Sequence, residues 1–183
     1  MNKKILETPR CYIRELTEAD IAAEYELYDS PHMTDYIPPL DEPEREVSLC
    51  REYAERVYGV YGYGMWGVFD RDTDRLIGEA GLEPRTDTDR TKYPYDWMFD
   101  AHTAELGFCI AEDLWGQGYC SEVCRAILTY CREHFGIATV FARTEADNVV
   151  SVRVLESLGF TLYDPGDNDE PDSDFLLFYF TEK

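Results

Sequence analysis

The chain has 183 residues, 44% of them hydrophobic, which suits one domain with a core of its own. Its 17 Lys and Arg stand against 38 Asp and Glu, a formal charge of −21. That balance excludes a nucleic-acid partner, whose phosphates need a basic footprint, and disfavours an anionic membrane. The acidic field suits a cationic partner such as an amine, or solubility alone. No apolar run reaches the length of a membrane span. Residues Met1 to Glu7 carry no sustained apolar stretch, so a signal peptide is not expected. The six cysteines, Cys11, Cys50, Cys109, Cys120, Cys124 and Cys131, are therefore expected to be reduced thiols of a cytoplasmic protein.

In chain order, Tyr12 to Leu16 reads as a short strand. Thr17 then caps a helix, with Asp20 as the acidic half of a capping box and Ile21, Tyr25 and Tyr28 on one face. A second helix spans about Glu44 to Tyr58 with Val47, Cys50, Ala54 and Val57 as its apolar stripe. Met65 to Phe69 and Leu76 to Leu82 form a hairpin across the polar turn 70–74. Pro84 to Thr103 is a long polar and aromatic segment, and loops of that length are often functional. Ala104 to Ala111 is a further strand, and Tyr119 to Phe135 a helix striped by Cys120, Val123, Cys124, Ile127, Leu128 and Cys131. Ala138 to Arg143 is the next strand. Asn148 caps a helix closed by Gly159. Phe160 to Tyr163 and Phe175 to Phe180 are the last strands, joined by the acidic run Asp164 to Asp174. The order predicts an α/β chain of the α+β type, one mixed sheet of about seven strands flanked by about four helices.

Trp115-Gly116-Gln117-Gly118-Tyr119-Cys120-Ser121 joins a strand to a helix. The first N–H groups of a helix lack internal acceptors, and the helix dipole adds positive potential there. Two glycines let a bulky anion reach that backbone, so the turn can cradle a pyrophosphate without Lys or Arg. A tight turn with no ligand uses the same residues. So does a Rossmann dinucleotide site, although Ser121 stands where its third glycine belongs and Glu145 is its nearest ribose acid. The motif lies past mid-chain, behind an antiparallel hairpin, and too little chain follows to complete a parallel sheet. Cys120, Cys124, Cys131 and His134 have no zinc-site spacing, so no metal is expected and the thiols read as core residues.

Five segments, in order, resemble the GNAT superfamily of N-acetyltransferases, and specifically its RimJ/RimL-like ribosomal-protein-alanine branch. They are Tyr12-Ile13-Arg14-Glu15-Leu16, Leu76-Ile77-Gly78-Glu79-Ala80-Gly81-Leu82, Ala104-Glu105-Leu106-Gly107-Phe108, the Trp115–Glu122 turn, and Asn148 through Phe160. The resemblance covers nearly the whole chain and implies a single GNAT domain over residues 1–183 with acetyl-CoA as cosubstrate. It implies that the Ala104–Ala111 and Ala138–Arg143 strands splay apart to admit the pantetheine arm. Phe108, Cys109 and Ile110 would pair with that arm. Gly116, Gln117, Gly118, Tyr119, Cys120 and Ser121 would hold the pyrophosphate, and Asn148 and Ser151 would contact the cofactor from the other side.

The acceptor implied is a primary amine, on a protein N-terminus or a small molecule and preferably cationic, acetylated by direct transfer in a monomer or homodimer. Transfer needs a base for the amine and a proton for the departing thiolate. Glu105 is the candidate base, expected in an apolar gap that raises its pKa, with Glu79 and Asp100 as further candidates. Many relatives carry a Tyr as acid where this chain has Leu155, so Ser121 or water would supply that proton. The missing Tyr is also the one hint of a non-catalytic cofactor sensor.

Overall fold

The computed structural model describes residues 3–85, 96–164 and 175–181. Its strands are Leu6–Glu7 (β1), Cys11–Arg14 (β2), Met65–Asp70 (β3), Leu76–Pro84 (β4), Thr103–Ile110 (β5), Thr139–Glu145 (β6), Thr161–Leu162 (β7) and Phe175–Thr181 (β8). They form one mixed sheet in the order β1-β2-β3-β4-β5-β6-β8-β7. The eighth strand beyond the expected seven is β1, whose two residues pair with Ile13 and Tyr12 and are too few to show a period. Half of the expected Pro84–Thr103 segment (86–95) and nearly all of the acidic run (165–174) lie outside the described residues.

Among the described residues four helices flank the sheet. A single 3₁₀ turn at Glu18–Asp20 leads into Ile21–Tyr28 (α1). Thr17 and Asp20 join as the capping box predicts: the Thr17 N–H donates to Asp20 Oδ2 at 2.9 Å. Arg14 adds a fork to the same carboxylate at 2.8 and 2.6 Å, tying β2 to the helix start. The second helix (α2) begins as Pro43–Tyr53, widens into a π turn at Ala54–Tyr58 and ends with Gly59–Tyr61. The wide turn has a structural reason. Tyr53 and Tyr58 are five residues apart and would diverge on a regular helix. The extra residue turns them to one side, where their rings meet edge to face at 5.0 Å. Their hydroxyls then bracket Met65 of β3: Tyr53 accepts its N–H at 2.8 Å, and Tyr58 donates to its carbonyl.

Tyr119–Phe135 (α3) and Val149–Leu158 (α4) complete the set. The α3 stripe is as predicted: Val123, Cys124, Ile127 and Cys131 are fully buried against Val68, Ile77, Leu82 and Leu106 of the sheet. The cysteines of this helix are free thiols packed as small apolar groups. Among the described residues no helix is long and apolar enough to cross a membrane.

Candidate active site

The ladder lengths place the site. β4 and β5 pair over seven residues, from Gly78–Ile110 to Pro84–Ala104. β6 and β8 also pair over seven, from Thr139–Thr181 to Glu145–Phe175. Between them, β5 and β6 run parallel and pair only at Thr103–Thr139, Ala104–Val140 and Glu105–Phe141. Beyond that point the two strands part, as expected of the Ala104–Ala111 and Ala138–Arg143 segments. Leu106 to Ile110 is left with an unpaired edge, and backbone groups on such an edge need another partner.

A cleft of about 540 Å³ fills the opening. Its walls include Phe108, Cys109 and Ile110 on one side and Thr144, Asn148 and Ser151 on the other, with Gly116, Gly118, Tyr119, Cys120 and Ser121 at one end. Of the residues expected at the cofactor, Gln117 alone does not line it. Its side chain turns back and donates to the Asp113 carbonyl at 2.9 Å. Met33, Tyr36 and Ile37, from the connection after α1, line the opposite side. Sequence reasoning missed them, because an irregular connection carries no periodic signal.

The end turn has the geometry that the glycines suggested. Gly116 and Gly118 take φ values of 70° and 80°. Gly116 has open space where a Cβ would stand, so its backbone angle rather than crowding calls for glycine. Gly118 is the N-cap of α3 and has no side chain to cap it. The first intrahelical bond is Glu122 N–H to the Gly118 carbonyl at 3.1 Å. No described residue accepts from the N–H groups of Tyr119, Cys120 or Ser121. Three donors and the positive helix end therefore face the cleft. Trp115 braces the turn, its indole N–H donating to the Ile110 carbonyl at 2.6 Å.

Asn148 accepts the Ser151 N–H at 3.0 Å, the N-cap bond expected of it. Leu155 is 1% exposed and belongs to the core. Ser121 shares a hydrogen bond of 3.1 Å with Ser157. Ser157 gives its own proton to the Val154 carbonyl at 2.7 Å, so Ser121 is the donor of that pair. The Ser151 hydroxyl donates to none of the described residues.

The carboxylates differ from expectation. Glu105 sits at the last rung before the strands part, but in an ionic rather than an apolar setting. Its Oε2 lies 3.0 Å from Arg85 Nη2 and its Oε1 3.7 Å from Arg143 Nε. Arg85 also reaches Glu83 at 2.8 Å. Asp100 is exposed in the turn before β5. Glu79 faces Cys109 across the β4–β5 ladder and accepts the Tyr28 hydroxyl at 2.9 Å. Burial holds its pKa above the ordinary carboxylate range, against the lowering effect of that bond. Glu24, on α1, is pushed up to about 8 by burial first and then by the charges of Glu79, Asp20 and Glu46. Burial raises the Cys109 thiol to about 12, which leaves it a poor nucleophile for a covalent route.

The sequence of residues 10–161 matches the profile of the acetyltransferase (GNAT) domain. An uncharacterized N-acetyltransferase, YoaA of Bacillus subtilis, is 28% identical over 158 residues, 85% of this chain and 82% of its own length. In structure, an acetyltransferase from Agrobacterium tumefaciens superposes with a TM-score of 0.73 at 24% identity, covering 97% of this chain and 94% of that one. RimL, a ribosomal alpha-N-protein acetyltransferase in complex with coenzyme A, superposes with a TM-score of 0.74 at 15% identity over 98% of both chains. The splayed strands, the bare helix end between them and the matched profile together place this chain in the GNAT acetyltransferase family, whose cosubstrate is acetyl-CoA.

Proposed function

We propose that the protein is an N-acetyltransferase of the RimJ/RimL-like branch that moves the acetyl group of acetyl-CoA directly to a primary amine. The observation that carries this reading is the end of the β5–β6 ladder after Glu105–Phe141. It leaves the edge at Phe108, Cys109 and Ile110 free to pair with the pantetheine arm, within reach of the helix end that would take the pyrophosphate. The arm would then act as an added strand, which aligns the thioester along a fixed line.

The amine is proposed to approach from the α1–α2 side, where burial first, and then the charges of Glu79, Asp20 and Glu46, raise Glu24, and where Glu46 adds to the burial that raises Glu79. A cationic acceptor would relieve that crowding. Glu105 lines the cleft and Glu79, opposite the cleft-lining Cys109 on the β4–β5 ladder, does not; we favour Glu79, acting through water, as the base. Burial raises the Glu79 carboxyl above the ordinary carboxylate range, which suits a base, whereas the Glu105 oxygens lie beside the guanidinium groups of Arg85 and Arg143. For the departing thiolate, Ser151 has a hydroxyl free to donate, while that of Ser121 is committed to Ser157. Backbone N–H groups on the open edge of β5 would stabilise the oxyanion.

A melting-temperature series with acetyl-CoA and with NAD tests the cofactor. Saturating acetyl-CoA should raise Tm and NAD should not, and no shift with acetyl-CoA sinks the reading. Thiol release with a panel of N-terminal alanyl and seryl peptides and polyamines then separates transfer from the second reading, cofactor sensing without transfer. Leu155 in the core, where a tyrosine acid would stand, favours that second reading.

A further inference from the structure

The turn at Gly116-Gln117-Gly118 has two left-handed glycines and would be loose if left to itself. It is gripped from outside by a residue about a hundred positions away. Arg10 sits in the turn between β1 and β2. Its Nη1 donates to the Gln117 carbonyl at 3.0 Å, its Nε to Glu122 Oε2 at 2.7 Å, and its backbone N–H to Glu122 Oε1 at 3.0 Å. The guanidinium lies 3.8 Å over the Tyr119 ring, and Nη2 stands 3.7 Å from where a Gly118 Cβ would be. Arg10 thus touches Gln117, Tyr119 and Glu122, residues that run from the turn into the first turn of α3.

Arg10 is itself held. Its carbonyl accepts the Arg71 N–H at 3.0 Å, and Thr8 and Cys11 close the hairpin turn with a bond of 2.8 Å. A guanidinium at a helix N-terminus opposes the helix dipole, so this placement needs a compensating interaction. Glu122 supplies one from the first turn of α3.

The contact with Gln117 fixes more than a side chain. In a trans peptide the carbonyl and the following N–H point in opposite directions. Pinning the Gln117 carbonyl to Arg10, outside the cleft, therefore turns the Gly118 N–H away from Arg10. A flipped peptide would present a carbonyl oxygen to the phosphates instead. We infer that Arg10 is a positioning residue for the cofactor: it locks the pyrophosphate turn in its binding conformation before the ligand arrives. The inference rests on the proposed seat of the pyrophosphate at this turn. Ordering the turn in advance removes a cost that would otherwise be met on binding.

The test is calorimetric titration of three probes into the full chain: CoA, 3′-phospho-ADP, which keeps the pyrophosphate, and pantetheine, which lacks it. In Arg10→Ala, CoA and 3′-phospho-ADP should each bind about tenfold or more weakly, while pantetheine keeps its wild-type affinity. Arg10→Lys keeps the charge but cannot bridge Glu122 and Gln117 together, so it should lose most of the same affinity. It also carries the test should the alanine variant fail to fold. CoA affinity within twofold of wild type, an equal loss on pantetheine, or full restoration by lysine would each overturn the inference. Wild-type protein that binds CoA but not 3′-phospho-ADP would instead refute the seat of the pyrophosphate.

Discussion

The cleft and the carboxylate cluster proposed to face the acceptor are built on different principles. The cofactor side, made of β5, the Trp115–Ser121 turn and α4, offers mostly backbone: an open strand edge, bare helix N–H groups and left-handed glycines. The region proposed for the acceptor, made of α1, α2 and β4 outside the cleft lining, offers side chains: Tyr28, Glu24, Glu46 and Glu79, brought together from three elements. Backbone recognition leaves a short, contiguous mark in the sequence, because glycine and helix-cap positions are locally determined. Side-chain recognition leaves scattered single residues whose meaning appears only when the elements pack.

This contrast can be broken or sharpened by substitution. The largest effect is expected on the acceptor side. Glu79→Gln should lower kcat by about 10²–10⁴-fold, the usual span for a lost general base, with little change in CoA affinity. Glu105→Gln should cost far less, and a larger loss there would return the base to Glu105. Next comes the cofactor side. Gly118→Val forces a branched side chain into φ near 80°, which costs about 1–2 kcal/mol or more. If that strain distorts the turn, CoA should bind roughly 10 to 100-fold more weakly, as titration calorimetry would show. Unchanged affinity would mean that the backbone of this turn does not hold the ligand.

The smallest effect is on stability and concerns Glu24. Its pKa is raised in the folded state from 4.5 to about 8. Between these values the native state keeps a proton that the unfolded state has lost, so stability falls as pH rises through that window. Glu24→Gln removes its share of the slope. The variant should melt a few degrees above wild type at pH 8, and the gap should shrink towards pH 5. A constant gap would assign the strain to another carboxylate.

Much of the fold was legible because its signals are local. The α3 stripe, the hairpin turn 70–74 and the capping box at Thr17 and Asp20 all stand where the sequence puts them. The π turn in α2 was not legible. It answers to Met65 on another strand, and nothing in residues 54–58 announces it. The same holds within the site. The Gly-rich turn and Asn148 could be read from spacing, whereas the setting of Glu105 could not. Its two arginines come from positions 85 and 143, and only the pairing of β4 and β6 on either side of β5 brings them to one carboxylate. Arg10 escaped for the same reason, since its partners lie more than a hundred residues away.

The short ladder between β5 and β6 also has a mechanical meaning. A sheet is as stiff across a junction as the number of rungs that cross it. Here the β4–β5 and β6–β8 ladders have seven rungs each, and the β5–β6 junction between them has three. The cleft opens at that weak seam, past its last rung at Glu105–Phe141.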